Sequence, residues 1–207
     1  MKRKKTRKIR QKAKVAIWMP MPVALPEPGV VFQHFHEILL DAERKGLGRL
    51  LVNHRAGAMD YWRTRACLKA IEKGATHILM LDADHKHGPP DLVERLLKHN
   101  VPVVGSLNYA RCNGKPCCVR KSSPVEAGTG LQKVDALGTG SLLIHLDSIK
   151  GLPQPWFFMA YGVHDDLGVD VWPGEDGGFS ILCNMHGIPL HIDTDVTSPH
   201  ANGTNWI

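Results

Sequence analysis

The sequence has few aromatic residues, no long apolar run and no cysteine pattern that indicates disulfide bonds. Aromatic side chains make up 6% of its 207 residues, and its five cysteines are odd in number and scattered along the chain. This argues against a disulfide framework and favours a reducing compartment. Since no apolar run approaches the roughly 20 residues of a membrane-spanning helix, we expect a soluble, cytoplasmic protein with no membrane span.

Acidic residues are absent from the first fourteen positions, where nine basic residues lie. These are Lys2, Arg3, Lys4, Lys5, Arg7, Lys8, Arg10, Lys12 and Lys14. Residues 15–207 then hold 17 basic residues against 20 acidic ones, so the net charge of +6 belongs to a tail, residues 1–14. We expect this tail to be disordered. A nucleic-acid-binding protein needs a basic face on its folded part, so the tail predicts at most a weak contact with acidic lipid or nucleic acid.

Short apolar runs alternate with helical spacing from residue 15 onward. Strands are predicted at 15–19, 50–52, 77–82, 101–105, 141–146 and 188–192, and helices at 30–45, after a cap at Asp60, after Pro90 and at 179–186. This order predicts one doubly wound α/β domain over residues 15–207, with a mostly parallel sheet. Residues 106–135, 153–173 and the last fifteen residues are expected to be irregular.

Asp82-Ala83-Asp84 follows a strand, 78–81, that is apolar throughout. A fully apolar strand is typical of parallel sheets covered on both faces, and ligands of such sheets bind outside the carboxyl ends of the strands. Two carboxylates there can hold a hard divalent cation, which prefers oxygen ligands. A solvated acidic loop or a helix cap would leave the same pattern.

A second acidic pair, Glu175-Asp176, is flanked by glycines and opens a predicted helix. A carboxylate there can act as a general base, although for this motif alone capping of the helix is the favoured use. Near the end of the chain, His200 follows a predicted strand, and an imidazole can join a carboxylate in binding Mn²⁺.

Taken together, four ordered motifs make the chain resemble glycosyltransferases of the A-type (GT-A) fold. The motifs are Asp82-Ala83-Asp84, the glycine loop from Gly138 to Gly140, Glu175-Asp176 and His200. The resemblance spans roughly residues 15–200 and implies a Rossmann-type α/β/α sandwich. It also implies an enzyme that moves a sugar from a nucleotide-sugar donor to an acceptor hydroxyl, with inversion at the anomeric carbon.

The resemblance further implies roles for individual residues. Asp84 and His200 would hold Mn²⁺ or Mg²⁺ on the donor diphosphate, with Asp82 near the metal or the ribose. Asp176 would be the catalytic base, and Glu175 would orient neighbouring groups. Gly138 and Gly140 would line the acceptor side, where the acceptor is a glycan, a protein or a nucleic acid.

Several contacts are predicted less directly. Arg63 stands where family members often carry an Arg-Asn pair, so it is a candidate contact to the donor phosphate or base; a solvent-facing helix position is the alternative. Asn53 and Arg55 are candidate contacts to the donor base. Trp156 can stack on a sugar face, or else packs beneath a loop.

Two other classes of protein fit part of the pattern. A metal-dependent nucleotidyltransferase or phosphohydrolase would use the same carboxylates, and a noncatalytic nucleic-acid-binding protein would use the tail. The cysteines at 112, 117 and 118 have no partner pair with zinc spacing, so a loop of reduced cysteines is favoured over a zinc site. His85 and His87 flank the acidic motif and could support the metal ligands from behind, although exposed side chains are the more usual outcome.

Overall fold

The computed structural model describes residues 13–20, 28–51, 58–110, 114–120, 122–160, 174–202 and 205–206. Most of the basic tail lies outside these ranges. So do the predicted donor-base contacts Asn53 and Arg55, as well as Cys112 and residues 161–173.

A seven-stranded sheet forms the centre of the molecule. In spatial order its strands are β2 (Gly48–Leu50), β1 (Val15–Trp18), β3 (His77–Leu81), β8 (Ser141–His145), β4 (Val103–Asn108), β9 (Leu190–Ser198) and β6 (Leu131–Val134). Five of these strands run in one direction, whereas β8 and β6 are antiparallel to their neighbours. Two short pairs lie beside the sheet: β5 (Cys118–Val119) with β7 (Ala136–Leu137), and β10 (Ala201–Asn202) with β11 (Asn205–Trp206).

Helices cover both faces of this sheet. Helices α1 (Pro28–Arg44) and α3 (Leu92–Lys98) pack on one face, and α2 (Met59–Glu72), α4 (Leu146–Ile149) and α5 (Glu175–Met185) pack on the other. Successive residues of a strand point to opposite faces, so β3 sends Ile78 and Met80 to one layer and Leu79 and Leu81 to the other. This explains the unbroken apolar run and confirms the predicted α/β/α sandwich with a mostly parallel sheet. Among the described helices, none is long and apolar enough to cross a bilayer.

Some predicted boundaries in the first half of the chain are wrong. Asp60 does not cap α2, because the N-cap is Ala58 and the Asp60 carboxylate instead accepts a hydrogen bond from the backbone N–H of Tyr61, at 2.7 Å. The helix after Pro90 begins at Leu92, whose N–H donates to the carbonyl oxygen of Pro89 in a preceding turn. A capping carboxylate or a proline can lie two or three residues from the first residue of a helix. A helix start predicted from these residues is therefore imprecise.

The second half of the chain is more regular than expected. Strand β6 lies inside the range 106–135, and the last fifteen residues hold part of β9 as well as β10 and β11. The end of β9 consists of polar residues and lacks regular alternation, because its pairing with β4 changes register. Ser106 pairs with Asp193, but Leu107 pairs with Thr197. The intervening residues are satisfied elsewhere, since the backbone N–H of Thr194 donates to Gly130.

Helix α5 approaches the preceding loop closely. The rings of Phe157 and Phe179 stack with their centroids 4.5 Å apart. A β-carbon at Gly178 would overlap the carbonyl oxygen of Phe158. Glycine at this position therefore allows the start of α5 to pack directly against the backbone of Phe158.

Candidate functional site

The candidate site lies where β3 ends. Asp82 and Asp84 follow the last residue of this strand, Leu81. The backbone N–H of Asp82 donates to the carbonyl oxygen of Gly140, at 2.9 Å. The glycine loop that precedes β8 is thereby fixed beside the acidic motif, at the carboxyl edge of the parallel strands where ligands of α/β sheets bind.

Asp84 meets His200, a residue 116 positions further along the chain. Its Oδ2 lies 3.0 Å from Nε2 of His200, and its Oδ1 lies 3.1 Å from Nδ1 of His85. The two imidazole rings stack with their centroids 4.2 Å apart. Backbone bonds hold the two segments together, since Lys86 donates to Pro199 and Ala201 donates to Asp84.

These three side chains form a group whose donor atoms suit a transition-metal ion. One carboxylate oxygen and one imidazole nitrogen from each histidine lie within 4.8 Å of one another. Mixed oxygen and nitrogen donors fit Mn²⁺ and later divalent ions, whereas Mg²⁺ favours oxygen alone. The structure thus brings together Asp84 and His200, two of the three predicted metal ligands, and adds His85.

The carboxylate in this group is ionised over a wide pH range. Burial alone would raise the pKa of Asp84, but hydrogen bonds from His200 and His85 hold that pKa well below its ordinary value. An ionised carboxylate is the form that binds a cation. The carboxylate of this group is therefore already in its cation-binding form at neutral pH.

Position 140 requires glycine, because the side chains of this cluster lie too close to the backbone there to leave space for a β-carbon. A β-carbon there would lie 2.6 Å from Nε2 of His85 and 2.9 Å from Nδ2 of Asn108. Gly138 lies on the other side of the loop, where its β-carbon would lie 3.7 Å from Oδ2 of Asp176. The predicted glycine loop thus runs from the histidine cluster toward the second acidic motif, and its contact with an acceptor stays a prediction.

Arg63 on α2 joins the two acidic motifs. Its Nη2 donates to both carboxylate oxygens of Asp82, at 2.8 and 3.0 Å, and its Nε donates to Oε1 of Glu175, at 3.0 Å. The side chain is only 2% exposed, and its guanidinium lies 5.8 Å from the centre of the Trp18 ring. The alternative of a solvent-facing arginine is therefore wrong.

Arg63 is stabilised by the two carboxylates that it contacts, although its single positive charge offsets only one of their two negative charges. Burial would lower the pKa of Arg63, but the carboxylates of Asp82 and Glu175 hold that pKa above its ordinary value. Breaking such a pair leaves a buried charge without a partner, which costs about 3–5 kcal/mol. Asp82 is thus engaged by the arginine in this structure, and its contact with a metal or ribose stays a prediction.

Asp176 is the second carboxylate of the α5 motif and has an unusual acidity. Burial, followed by the nearby charge of Glu175, raises the pKa of Asp176 to about 6, although the N–H of Gly177 donates to it at 2.8 Å. A carboxylate with a pKa near 6 is a stronger base than an ordinary one and is still ionised at neutral pH. Gly174, just before it, leaves room for this side chain: a β-carbon there would lie 2.5 Å from Oδ1 of Asp176.

A buried chain of hydroxyl groups lies beneath the cluster. Nδ1 of His87 lies 2.9 Å from Oγ of Ser141, which lies 3.1 Å from Oγ of Ser198, which lies 2.9 Å from Oγ of Ser106. Burial, together with the charge of His85, lowers the pKa of His87 to about 3, so this ring is neutral. Because His85 and His87 are 5% and 2% exposed, the alternative of exposed side chains is wrong for both.

Trp156 takes no part in these contacts, whereas Cys117 lies against the glycine loop. Trp156 is 1% exposed and its indole N–H donates to Leu152, at 3.2 Å, so of its two predicted uses the structure shows packing beneath a loop. Cys118 is a free thiol, and the backbone carbonyl of Cys117 accepts a hydrogen bond from the N–H of Gly138 at 2.7 Å. The remaining member of that loop, Cys112, and the predicted donor contacts Asn53 and Arg55 lie outside the described residues.

Sequence reasoning missed two features of the site. The first is that Arg63 donates hydrogen bonds to both Asp82 and Glu175. The sequence spacing that singles out Arg63 does not indicate a contact with Glu175. The second is the inward orientation of His85. A signal for it exists: in Asp84-His85 the two side chains are adjacent at a strand exit, where the chain turns and both can face one side.

Comparison with known proteins identifies the fold. No protein-family model matches the sequence, and no curated protein matches it. Among solved structures, A197 from STIV has a TM-score of 0.61 and 17% identity, over 91% of this chain and 85% of that one. A structure of GalNAc-T7 with UDP, GalNAc and Mn²⁺ has a TM-score of 0.52 and 14% identity, over 91% of this chain and 42% of that one. This chain therefore spans less than half the length of GalNAc-T7, and at these identities the likeness shows a shared fold.

Proposed function

We propose that this protein transfers a sugar from a nucleotide-sugar donor to an acceptor hydroxyl, with the help of a divalent cation. The observation that carries the proposal is the 3.0 Å contact between Asp84 and His200. The glycine loop beside this contact leads to Asp176, whose carboxylate is the candidate general base. The shared fold with a protein whose structure contains UDP, GalNAc and Mn²⁺ supports it.

Asp84, His200 and His85 would hold the cation, and their donor set fits Mn²⁺ better than Mg²⁺. When bound, the cation would offset the negative charge that builds on the departing diphosphate. Arg63 offsets part of the negative charge of two carboxylates, Asp82 and Glu175. This lowers the repulsion that a donor diphosphate would meet on entering the site.

Asp176 would act as the general base. In the reaction, the bond between the anomeric carbon and the diphosphate oxygen breaks, and a bond from that carbon to the acceptor oxygen forms. The proton of the acceptor hydroxyl passes to Asp176, and the nucleoside diphosphate leaves with the bonding electron pair. Attack on the face opposite the leaving group would invert the anomeric carbon, and Gly138, whose β-carbon position lies 3.7 Å from Oδ2 of Asp176, would lie on the acceptor side.

Two measurements on the same purified protein test the proposal. The first is a thermal-shift panel of nucleoside diphosphates and nucleotide sugars, with and without Mn²⁺, since a ligand that binds only the folded state raises its melting temperature. We expect one base to give a shift that needs Mn²⁺. The second is product analysis with that donor. A free nucleoside diphosphate and a glycosylated acceptor are expected, whereas pyrophosphate or a sugar phosphate would indicate the nucleotidyltransferase or phosphohydrolase.

Asp84→Ala is the decisive variant. It removes the only carboxylate of the metal group, so transfer and the Mn²⁺-dependent shift are both expected to disappear. Asp147→Ala is the matched control, because this aspartate is 68% exposed on α4 and pairs with Lys150 at the surface. Full transfer by Asp84→Ala in the presence of EDTA would overturn the proposal.

A further inference from the structure

Five buried polar side chains form a continuous hydrogen-bonded network under the candidate metal group. His87, Ser141, Ser198, Ser106 and Asn108 follow one another in it, at distances of 2.9, 3.1, 2.9 and 3.1 Å. None of these five residues, called the hydroxyl network below, is more than 2% exposed. Solvent therefore cannot replace a partner that is lost, and a buried polar group without a partner is costly.

The hydroxyl network joins the two segments that carry the histidines of the metal group. His87 lies two residues after His85, and Ser198 lies two residues before His200. Ser141, the first residue of β8, lies between them and contacts both His87 and Ser198. The two histidine-bearing segments are thereby fixed to the same strand.

A second branch leads from Ser198 back to His200. The hydroxyl of Ser198 also contacts Ser106 on β4, and the Ser106 hydroxyl donates to Oδ1 of Asn108. The carbonyl oxygen of the next residue, Tyr109, accepts a hydrogen bond from Nδ1 of His200, at 3.3 Å. A bond of this kind fixes the orientation and tautomer of an imidazole and leaves its other nitrogen able to bind a metal ion.

Hydroxyl groups at fully buried positions serve geometry more than stability. If both partners of a buried hydrogen bond are replaced by apolar groups of the same shape, the change in stability can be close to zero. A fully satisfied buried network, in contrast, holds its members in one arrangement. Ser198 is central to that arrangement, because its hydroxyl is shared by Ser141 and Ser106.

We propose that Ser198 is a positioning residue of the metal group, because the hydroxyl network sets the separation of His85 and His200 at which a divalent cation binds. This inference rests on the proposed function, since it takes Asp84, His85 and His200 as the metal ligands. Ser198 acts through its neighbours in the network and is not itself a ligand.

The affinity of the full-length protein for Mn²⁺ alone tests this role, measured by a titration in which EPR reports the free aqueous ion. Ser198→Ala removes the central hydroxyl and interrupts the network on both sides. We expect its dissociation constant for Mn²⁺ to rise about tenfold, the lower end of the usual loss when an outer-shell partner of a metal ligand is removed.

Thr194→Val is the matched control. Thr194 lies on the same strand as Ser198 and is 1% exposed. Its hydroxyl also has two partners, since it donates to the carbonyl oxygen of Gly130 and accepts from the backbone N–H of Thr129. This variant loses a buried hydroxyl outside the hydroxyl network, so its melting temperature should fall while its Mn²⁺ affinity stays that of the wild type.

Ser141→Ala interrupts the network at the neighbouring residue and should also weaken Mn²⁺ binding about tenfold. If the hydroxyls act as one unit, the double variant Ser141→Ala, Ser198→Ala should lose no more than either single variant. Independent contributions would instead multiply to a loss of about a hundredfold.

The possible failures of the two proposals are distinguishable. Wild-type Mn²⁺ affinity in both Ser198→Ala and Ser141→Ala would overturn the positioning role alone, and so would a hundredfold loss in the double variant. If the wild type did not bind Mn²⁺, both proposals would be wrong. The expected affinities without any Mn²⁺-dependent thermal shift by a nucleotide sugar would support the positioning role and contradict the proposed function.

Discussion

Among single residues, Asp176 combines a candidate catalytic role with a cost in stability. Its ordinary pKa is 3.8, and burial raises this to about 6 in the folded protein. Between these two values the folded state keeps a proton that the unfolded state has lost. The free energy of unfolding therefore falls as the pH rises from about 4 to 6, and above pH 6 the buried negative charge carries its full penalty, at most about 3 kcal/mol.

The variant Asp176→Asn should separate these two roles. It should abolish transfer, while the wild-type rate rises with pH through about 6 and then levels off. It should also melt at a higher temperature than the wild type at pH 7.5, with a smaller difference at pH 4.5. Calorimetry at both values tests this.

Asp147→Asn is the control for this pH dependence, because the hydrogen bond from Lys150 lowers the pKa of this exposed carboxylate. It should give no gain in melting temperature at pH 7.5. A gain for Asp176→Asn that is equal at the two pH values would contradict the assignment.

Also at this scale, single residues show how far sequence reasoning reaches. The resemblance to GT-A glycosyltransferases implies that Asp84 and His200 act together, and the structure places them in contact. The use of Arg63 could not be predicted, since its two partners lie 19 and 112 positions away and nothing in the local pattern connects them. Polar contacts over such distances depend on the packing of whole elements, which a local pattern does not encode.

At the scale of elements, Gly178 limits how α5 packs. Alanine normally stabilises a helix interior by about 1 kcal/mol relative to glycine. At this position its methyl group would overlap the carbonyl oxygen of Phe158. We therefore expect Gly178→Ala to lower the free energy of unfolding by about 1–3 kcal/mol, the usual cost of overpacking.

Urea unfolding of Gly178→Ala and of Gly151→Ala provides the measurement and its control. Gly151 has no atom within 4 Å of its β-carbon position and no positive φ, so alanine there should be neutral or slightly stabilising. If Gly178→Ala were as stable as the control, α5 would not be seated as described.

The strands and helices differ in how reliably their sequences predict them. Strand β3 and helix α1 were predicted within about two residues, because an unbroken apolar run and helical spacing are strong signals. Strand β6 was missed because its side chains are mostly polar and exposed, as its place at the edge of the sheet allows. The polar end of β9 was missed because the shift in its pairing breaks the alternation on which strand prediction relies.

At the scale of the whole molecule, the exposed basic side chains and the candidate site residues lie in different places. The carboxylates and histidines gather at the carboxyl end of β3, and exposed basic side chains gather along β2 and at the start of β1. The net charge of +6 hides this division because it averages a basic tail with a mildly acidic remainder.

The central position of β8 also governs how the molecule folds. This strand lies between β3 and β4 and pairs with residues about 60 positions earlier in the chain, so the sheet closes through contacts distant in sequence. Such contacts form late and slow the folding reaction. Asp84 and His200 lie on opposite sides of β8 in the order of strands, so the metal group is complete only once the sheet has closed.

Mn²⁺ should therefore act on the kinetics of unfolding alone. The proposed Mn²⁺ site exists only in the finished arrangement, so Mn²⁺ bound there would stabilise the native state more than the transition state. In stopped-flow experiments, saturating Mn²⁺ is expected to slow unfolding severalfold and to leave the refolding rate unchanged. Faster refolding with Mn²⁺ would mean that the two halves of the metal group meet before the sheet closes.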